Sequence, residues 1–242
     1  RLRDRWGSGE PARRRESGIA LRHPLPGVGE TLQDHLQLRV ILKVRGVKTL
    51  NRVASTWWGK AGIGLEYLLN RSGPMSMAPS QLGAFAKSDP GQARANLEFH
   101  VQPLSLGAFG EPLHGFDAFT ASVCNLRPVS RGSVHAQGAD GSLPPAITPN
   151  YLKEEQDLKV AADAIRLVRR ISAAPALQRY QPEEWLPGPA YQSEAELREA
   201  AGKIGTTIFH PVGTCRMGRR AARGRGGGGG AAPGGGGGGA AG

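Results

Sequence analysis

Histidine is the side chain of this sequence best suited to acid–base chemistry near neutral pH, because an imidazole titrates at about 6.5 in water. The sequence has six histidines, and no two of them have the spacing of metal ligands, so it predicts no metal site. Its two cysteines, Cys124 and Cys215, belong to no CxxC pair and predict neither a zinc site nor a disulfide framework. Proton transfer by a histidine is therefore the chemistry to look for.

His210 has the sequence context most typical of a functional histidine. It follows the apolar run 204–209, Pro211 restricts the next backbone angle, and Gly213 and Gly218 let the chain pass close to a bound group. A lone histidine is more often structural or exposed, so this context alone leaves both interpretations open. The sequence has no GxGxxG after a strand, no Walker loop, no GxSxG elbow and no HExxH.

An antiparallel sheet is predicted to position these side chains. Apolar and polar residues alternate over 36–44, which predicts a half-buried strand. Three shorter runs, at 97–102, 119–123 and 132–136, predict strands joined as an antiparallel meander.

Three helices are predicted beside this sheet. The first ends before Gly73-Pro74 and has one apolar face, formed by Trp58, Ala61, Leu65, Leu68 and Leu69. The second covers 158–171 and turns its charged residues to solvent, namely Lys159, Asp163, Arg166, Arg169 and Arg170. The third begins at a capping box of Ser193 and Glu196 and ends at Gly202. The fold class is therefore α+β, an antiparallel sheet packed with helices.

The net charge of +11 over 242 residues is concentrated at the two ends of the chain. Residues 1–16 carry +3 and residues 219–242 carry +4, which leaves +4 for the 202 residues between them. The end segment 219–242 has 13 glycines and four arginines, so it predicts disorder. It is either an RNA-binding tail, or a linker or a stretch without an evolved role. Because it has no aromatic residue to stack on bases, no nucleic-acid partner is expected.

Four segments resemble the glucose–methanol–choline (GMC) oxidoreductases, flavoenzymes that oxidise alcohols with FAD. The sequence FHPVGTCRMG at 209–218 resembles their active-site segment, and LPGVGETLQDH at 25–35 resembles their GVGxNLQDH segment. The sequence RPVSRGSV at 127–134, followed by PNYL at 149–152, resembles their substrate-domain strands. The Gly7-Ser8-Gly9 turn before Gly18-Ile19 stands where the family has an SGIG-type turn.

The resemblance implies a role for individual residues. His210 matches the base that accepts the hydroxyl proton while a hydride leaves the alcohol carbon for the flavin. His100 matches a second histidine directed at the substrate hydroxyl, and its place on the polar side of a strand is compatible with facing either a pocket or solvent. Gln81 stands where choline-specific relatives carry a glutamate, so an uncharged primary or secondary alcohol is a better substrate prediction than choline. The alternative is that the Gln81 side chain only forms hydrogen bonds with backbone groups.

The resemblance also implies FAD as the cofactor and a division of the chain. It places Gly29, Asp34, His35, Pro211 and Val212 near the flavin. Residues 1–35 are a remnant of the FAD-binding domain, 36–203 the substrate-binding domain, 204–218 the active-site segment of the FAD domain and 219–242 the tail. The family's dinucleotide-binding unit would precede Arg1 and a partner of the catalytic histidine would follow Gly218, so the chain itself is predicted to bind FAD weakly or not at all.

The predicted partners are a small-molecule alcohol and an electron acceptor, oxygen or a quinone. No stretch approaches the roughly 18 consecutive apolar residues of a membrane helix, so no transmembrane segment is predicted. Cysteine usage and the lack of a leader predict a cytoplasmic protein, or one attached at the inner membrane face. An RNA-associated module with basic ends and a non-catalytic relic of an oxidoreductase remain alternatives.

Overall fold

A computed structural model describes residues 7–78, 80–108 and 110–217. The predicted tail at 219–242 lies outside these residues. Within them the chain forms two compact units, one made of residues 7–31, 133–147 and 213–217, the other of 32–132 and 148–212. Compactness does not test which residues serve a cofactor, so the domain assignment made from the sequence stays a prediction.

The strands are β1 (Ser8–Gly9), β2 (His23–Pro24), β3 (Leu36–Lys43), β4 (Leu82–Ala86), β5 (Leu97–Gln102), β6 (Ala118–Asn125), β7 (Ser133–His135), β8 (Ala146–Thr148), β9 (Glu183–Leu186) and β10 (Gly205–Thr207). The helices are α1 (Pro11–Glu16), α2 (Leu50–Val53), α3 (Trp57–Asn70), α4 (Glu155–Ser172), α5 (Pro175–Gln178) and α6 (Glu194–Ile204), with a 3-10 turn at Pro74–Ser76.

The first unit is small and contains two short strand pairs. β1 pairs with β2 in parallel, and β7 pairs with β8. Gly29 has a φ of +88°, and a Cβ there would collide with the His135 ring, so the tight passage requires glycine. Glu30 lies 2.9 Å from Nε2 of the buried His135. These contacts hold the segment around Gly29 in place.

The second unit is built on an antiparallel sheet with the order β10-β3-β6-β5-β4, and β9 also pairs with β3. The α+β fold class predicted from the sequence is confirmed. Helices α4 and α6 pack on one face, and a single core fills the space between. The fully buried members of this core include Val40, Leu97, Val123, Ile165 and Leu197.

The expectation that the strand at 36–44 is half-buried is wrong. Gln37, Arg39 and Ile41 on its second face are also buried, with exposures of 7%, 4% and 0%. The loop after β5 folds over that face, since the Thr120 hydroxyl donates to the Leu104 carbonyl at 2.7 Å. The alternation of residue types therefore distinguishes an apolar face of the strand from a more polar face, and both faces are buried.

The predicted meander is also corrected. The first two of its strands, β5 and β6, pair antiparallel as expected. The third, β7, pairs instead with β8 in a separate two-stranded sheet. β4 and β9 were not predicted, because β4 contains only apolar or small residues without alternation and β9 has only four residues.

All three predicted helices are present, but their surroundings differ from expectation. The apolar face of α3 is exposed, with Trp58 at 77% and Leu68 at 68%. The helix ends at Asn70, before Gly73-Pro74 as predicted, and its cap residue Arg71 has a left-handed conformation. α6 has the predicted capping box and continues two residues beyond Gly202.

Arg169 on α4 does not point to solvent as the sequence predicted. Its guanidinium donates to both carboxylate oxygens of Glu184 at 2.7 and 2.8 Å and to the carbonyl oxygens of Gly188 and Tyr191. A planar guanidinium suits such a forked contact. Arg169 thereby connects α4 to β9 and to the segment that follows it.

No helix within the described stretches combines the length and apolar character that crossing a bilayer requires. The longest, α4, has 18 residues and carries charged side chains along much of its surface.

Candidate active site

One face of the main sheet is lined by polar side chains, and strand register explains why. The pairing places Cys124 of β6 between Gln37 and Glu98, and Ser122 between Arg39 and His100. Side chains opposite each other across a sheet point to the same face. We call this surface the polar face, defined by Gln37, Arg39, Glu98, His100, Thr120, Ser122 and Cys124.

His210 lies on the exposed segment that follows β10, an edge strand of this sheet. Its Nδ1 atom is 3.5 Å from Nδ1 of His35, and the two rings meet edge to face with centroids 5.5 Å apart. His35 directly precedes β3. The structure therefore brings together two histidines that are 175 residues apart.

The backbone of His210 is held by Asp34. Oδ1 of Asp34 accepts the His210 N–H at 2.9 Å, and Oδ2 accepts the hydroxyls of Thr207 and Tyr151, each at 2.5 Å. Asp34 is only 8% exposed. Three donors on one buried carboxylate fix the position of the backbone at His210, since charge-assisted hydrogen bonds are short and strong.

Tyr151 is a donor to this carboxylate throughout the physiological range. Burial and the hydrogen bond to Asp34 raise the pKa of Tyr151 to about 12. Sequence reasoning gave Tyr151 and Thr207 no place in the site. No spacing could have shown them, because both contacts span more than 100 residues.

Pro211 and Val212 follow His210 and have exposed side chains. The backbone of Val212 forms an antiparallel bridge with Gln33, with N–H···O distances of 2.8 and 2.9 Å. This bridge and the bond from Asp34 fix the segment on both sides of His210. Gly29 belongs to the first unit, where it forms the tight passage beside His135.

His100 lies on the polar face and is partly exposed. Its Nε2 atom is 3.7 Å from Oε1 of Glu98, too long for a hydrogen bond, and it makes no hydrogen bond with any described residue. The other carboxylate oxygen of Glu98 lies 4.0 Å from Sγ of Cys124. Burial and the charge of Glu98 raise the pKa of Cys124 to about 12, so the thiol is protonated at neutral pH.

Gln81 lies just before β4 with an exposed side chain that contacts the Met77 sulfur. Its N–H donates to the Val101 carbonyl at 3.0 Å, which extends the β4–β5 ladder beside His100. Gln81 and His100 therefore lie on neighbouring strands, and the structure shows no contact between their side chains.

The polar face also holds a buried cation, the guanidinium of Arg39. Burial lowers its pKa, but an arginine is still charged at neutral pH. Burial and, after it, the charge of Arg39 lower the pKa of His114. Arg39 was assigned no functional role from the sequence. The alternation of apolar and polar residues over 36–44 was the one signal that placed it on the polar side of its strand.

A cavity of about 570 Å³ opens on the other face of the sheet, between β4, β5 and the helices. Its lining is almost entirely apolar and includes Phe99, Val168 and Tyr180. None of its lining residues is a histidine, so it offers no base for proton transfer. The imidazoles of His210, His35 and His100 lie instead on or beside the polar face.

Comparisons with known proteins connect this site to one family. Residues 128–225 match the family model described as GMC oxidoreductase. The chain is 36% identical over 217 residues to the "Alcohol dehydrogenase [acceptor]" of Pseudomonas putida and 37% identical over 214 residues to the "Oxygen-dependent choline dehydrogenase" of Klebsiella pneumoniae. These alignments cover 89% and 88% of the chain but 39% and 38% of the two relatives.

A solved structure of Aspergillus oryzae formate oxidase, reported in a study of its FAD modification, has the same fold, with a TM-score of 0.78 at 20% identity. The match covers 89% of this chain and 42% of that enzyme. The chain thus spans about two fifths of the length of the proteins that it matches.

Proposed function

We propose that the chain is part of a GMC oxidoreductase and forms the substrate side of a flavoenzyme that oxidises an alcohol to an aldehyde or ketone. The observation that carries the proposal is the placement of His210. It lies beside a polar sheet face that carries a second histidine, His100, and its backbone is held by the buried Asp34. A positioned imidazole next to a surface that can bind a hydroxyl is what proton removal from an alcohol requires.

In the proposed reaction His210 accepts the hydroxyl proton as the carbinol hydride departs. His100 orients the same hydroxyl from the sheet. An oxidised flavin would supply the acceptor for the hydride, and the chain's own residues would bind the alcohol, align it and move its proton. Asp34 contributes indirectly, because it fixes the backbone from which the His210 imidazole projects.

The described residues fit a flavin at its reactive ring only. The exposed segment 209–212 offers His210, Pro211 and Val212 to such a ring. β1 and α1, of two and six residues, are too short to form a strand–turn–helix cradle for a pyrophosphate. We infer that 1–35 and 204–218 are parts of the FAD domain and 36–203 the substrate domain.

We infer that the substrate is an uncharged alcohol and that oxygen or a quinone is the final electron acceptor. Gln81 supports the first inference, because its neutral amide gives a quaternary ammonium group no countercharge. Glu98 is a carboxylate on the polar face, but it faces Cys124 and His100. Turnover of choline in preference to uncharged alcohols would contradict this inference.

A chimera tests the proposal. This chain replaces the aligned residues of the Pseudomonas putida alcohol dehydrogenase, and turnover of flavin-loaded protein is measured with uncharged alcohols and with choline, using oxygen or a quinone analogue. His210→Ala should lower kcat by about 100-fold or more with unchanged flavin content. His23→Ala, which changes an exposed histidine of the other unit, is the matched control. Full turnover by the His210→Ala chimera contradicts the mechanism, and an inert but flavin-loaded parent chimera favours a non-catalytic relic.

A further inference from the structure

Two side chains of the polar face and one that adjoins it form a group of three possible metal ligands that the proposed proton transfer leaves unused. They are His35, Glu98 and Cys124, and one ligand atom from each lies within 4.8 Å of the others. Cys124 is fully buried, whereas His35 and Glu98 are partly exposed. The three are far apart in the sequence, so spacing gave no sign of them.

Strand register forces this meeting. Glu98 and Cys124 are directly paired across β5 and β6, and Gln37 is paired with Cys124 on the other side. His35 lies two residues before Gln37 and shares its face because side chains alternate along a strand. Each ligand therefore comes from a different strand or its extension, and the sheet holds all three in place.

The distances are close to those of a tetrahedral site. Zinc bonds of about 2.0–2.3 Å place neighbouring ligand atoms roughly 3.3–3.8 Å apart. Cys124 Sγ and Glu98 Oε2 are 4.0 Å apart, and the largest separation is within 4.8 Å. A shift of about 1 Å or less by the partly exposed His35 and Glu98 would close the site, which leaves one position for water.

The chemistry of the three ligands selects a borderline-soft cation. Thiolate and imidazole bind Zn²⁺ well and Mg²⁺ or Ca²⁺ poorly, since the latter prefer oxygen ligands. A thiolate and a carboxylate also neutralise a divalent charge in a region where Cys124 is fully buried.

We propose that His35, Glu98 and Cys124 form a binding site for Zn²⁺ or a cation of the same class on the polar face. The cation binds one imidazole nitrogen, one carboxylate oxygen and the sulfur, and the thiol proton passes to solvent. Because the thiol must lose its proton to bind the cation, binding releases one proton.

The site adjoins His210, whose Nδ1 is 3.5 Å from that of His35. It does not depend on the proposed flavin chemistry, since its ligands and its test use this chain alone. A bound cation would lie next to the imidazole that the proposed reaction needs.

Cobalt titration of the purified, reduced and chelator-treated chain tests the site. We expect one Co²⁺ per chain, a near-ultraviolet band from thiolate-to-cobalt charge transfer, and displacement by Zn²⁺ but not by Mg²⁺. Cys124→Ser should abolish the charge-transfer band, and His35→Ala and Glu98→Gln should each weaken binding by about tenfold or more. Cys215→Ser, which changes the exposed cysteine, should leave the spectrum unchanged.

Two results would overturn the site. One is a folded wild-type chain that binds no cobalt, as judged by circular dichroism and the titration together. The other is cobalt binding that survives Cys124→Ser with the same affinity, which would identify surface histidines as the ligands. If Cys124→Ser fails to fold, Glu98→Gln decides, because an unchanged cobalt affinity in that variant contradicts the proposal equally.

Discussion

Asp34 illustrates at the scale of one residue how a buried charge is kept by its partners. Both of its oxygens are taken by the chain's own donors, from Thr207, Tyr151 and the His210 backbone. The sequence resemblance placed Asp34 near the flavin. From these contacts we infer a positioning residue that acts through His210.

Removing one of these donors should destabilise the second unit. Tyr151→Phe leaves the Asp34 carboxylate with two donors instead of three, and a hydrogen bond to a charged group contributes about 1.5–3 kcal/mol to stability. Urea unfolding at neutral pH measures this loss. Tyr180→Phe is the control, because its hydroxyl accepts a hydrogen bond from Arg179 at the surface, and its effect should be below about 0.5 kcal/mol. Equal effects of the two variants would show that the Asp34 contact contributes nothing.

The same tyrosine should make stability fall at high pH. Burial and the bond to Asp34 raise the pKa of Tyr151 from 10.0 to about 12, so the folded state disfavours tyrosinate. The resulting stabilisation is complete below pH 10 and is lost as the pH rises through about 12. Cys124 has a shift of the same sign, and comparing wild type with Tyr151→Phe isolates the tyrosine. The urea midpoint should fall less between pH 9 and pH 11.5 in Tyr151→Phe, and parallel falls would refute the assignment.

At the scale of elements, α3 and α4 show what apolar periodicity can and cannot predict. Both helices were found from spacing, because a repeat of 3.6 residues marks one face. Only α4 packs that face on the sheet, whereas α3 exposes Trp58, Leu65 and Leu68. Spacing is a local property and carries no information about what lies opposite.

Matched truncations should separate the two helices. Ile165→Ala in α4 empties a fully buried position, and the lost contacts and the cavity should cost about 2–5 kcal/mol. Leu68→Ala in α3 removes a side chain that is 68% exposed and should cost less than about 0.5 kcal/mol. Denaturant midpoints of both variants measure the difference. A large loss from Leu68→Ala would mean that the α3 face is covered in solution.

Arg169 leads to a second comparison on α4. It donates four hydrogen bonds that join the helix to Glu184, Gly188 and Tyr191, and its side chain is 22% exposed. Arg169→Ala leaves the Glu184 carboxylate without its charged partner. It should lower the free energy of unfolding by about 2–3 kcal/mol. Arg170→Ala, at an exposed neighbouring position, should be close to neutral. Comparable urea midpoints for the two variants would contradict this role.

Strand alternation predicted part of the candidate site, and strand register supplied the rest. The pattern over 97–102 put Glu98 and His100 on one side of a strand, and the structure confirms it. Which strand lies beside which is not encoded locally, so the meeting of His35, Glu98 and Cys124 could not be predicted. The role of Tyr151 could not be predicted for the same reason, since its contact with Asp34 joins segments 117 residues apart.

For the whole molecule, the two faces of the main sheet have different physical roles. Helices α4 and α6 bury one face in the core, which holds the strands in fixed register. The other face is then free to carry charged and polar groups whose spacing the rigid sheet maintains. Sites on strands are held more precisely than sites on loops, and His210 gains comparable order through Asp34 and the Gln33–Val212 bridge.

Flavin retention tests how this architecture divides cofactor binding. On our proposal the segment 209–212 contacts a flavin at its reactive ring. β1 and α1 are too short to bind the pyrophosphate of FAD. The purified chain, incubated with FAD and passed over a desalting column, should therefore retain far less than one flavin per chain. The chimera with the Pseudomonas putida alcohol dehydrogenase should retain a full complement, which shows that the shared residues do not themselves exclude the cofactor. A chain that stays yellow with stoichiometric FAD would mean that its own residues hold the dinucleotide, and the proposed division would be wrong.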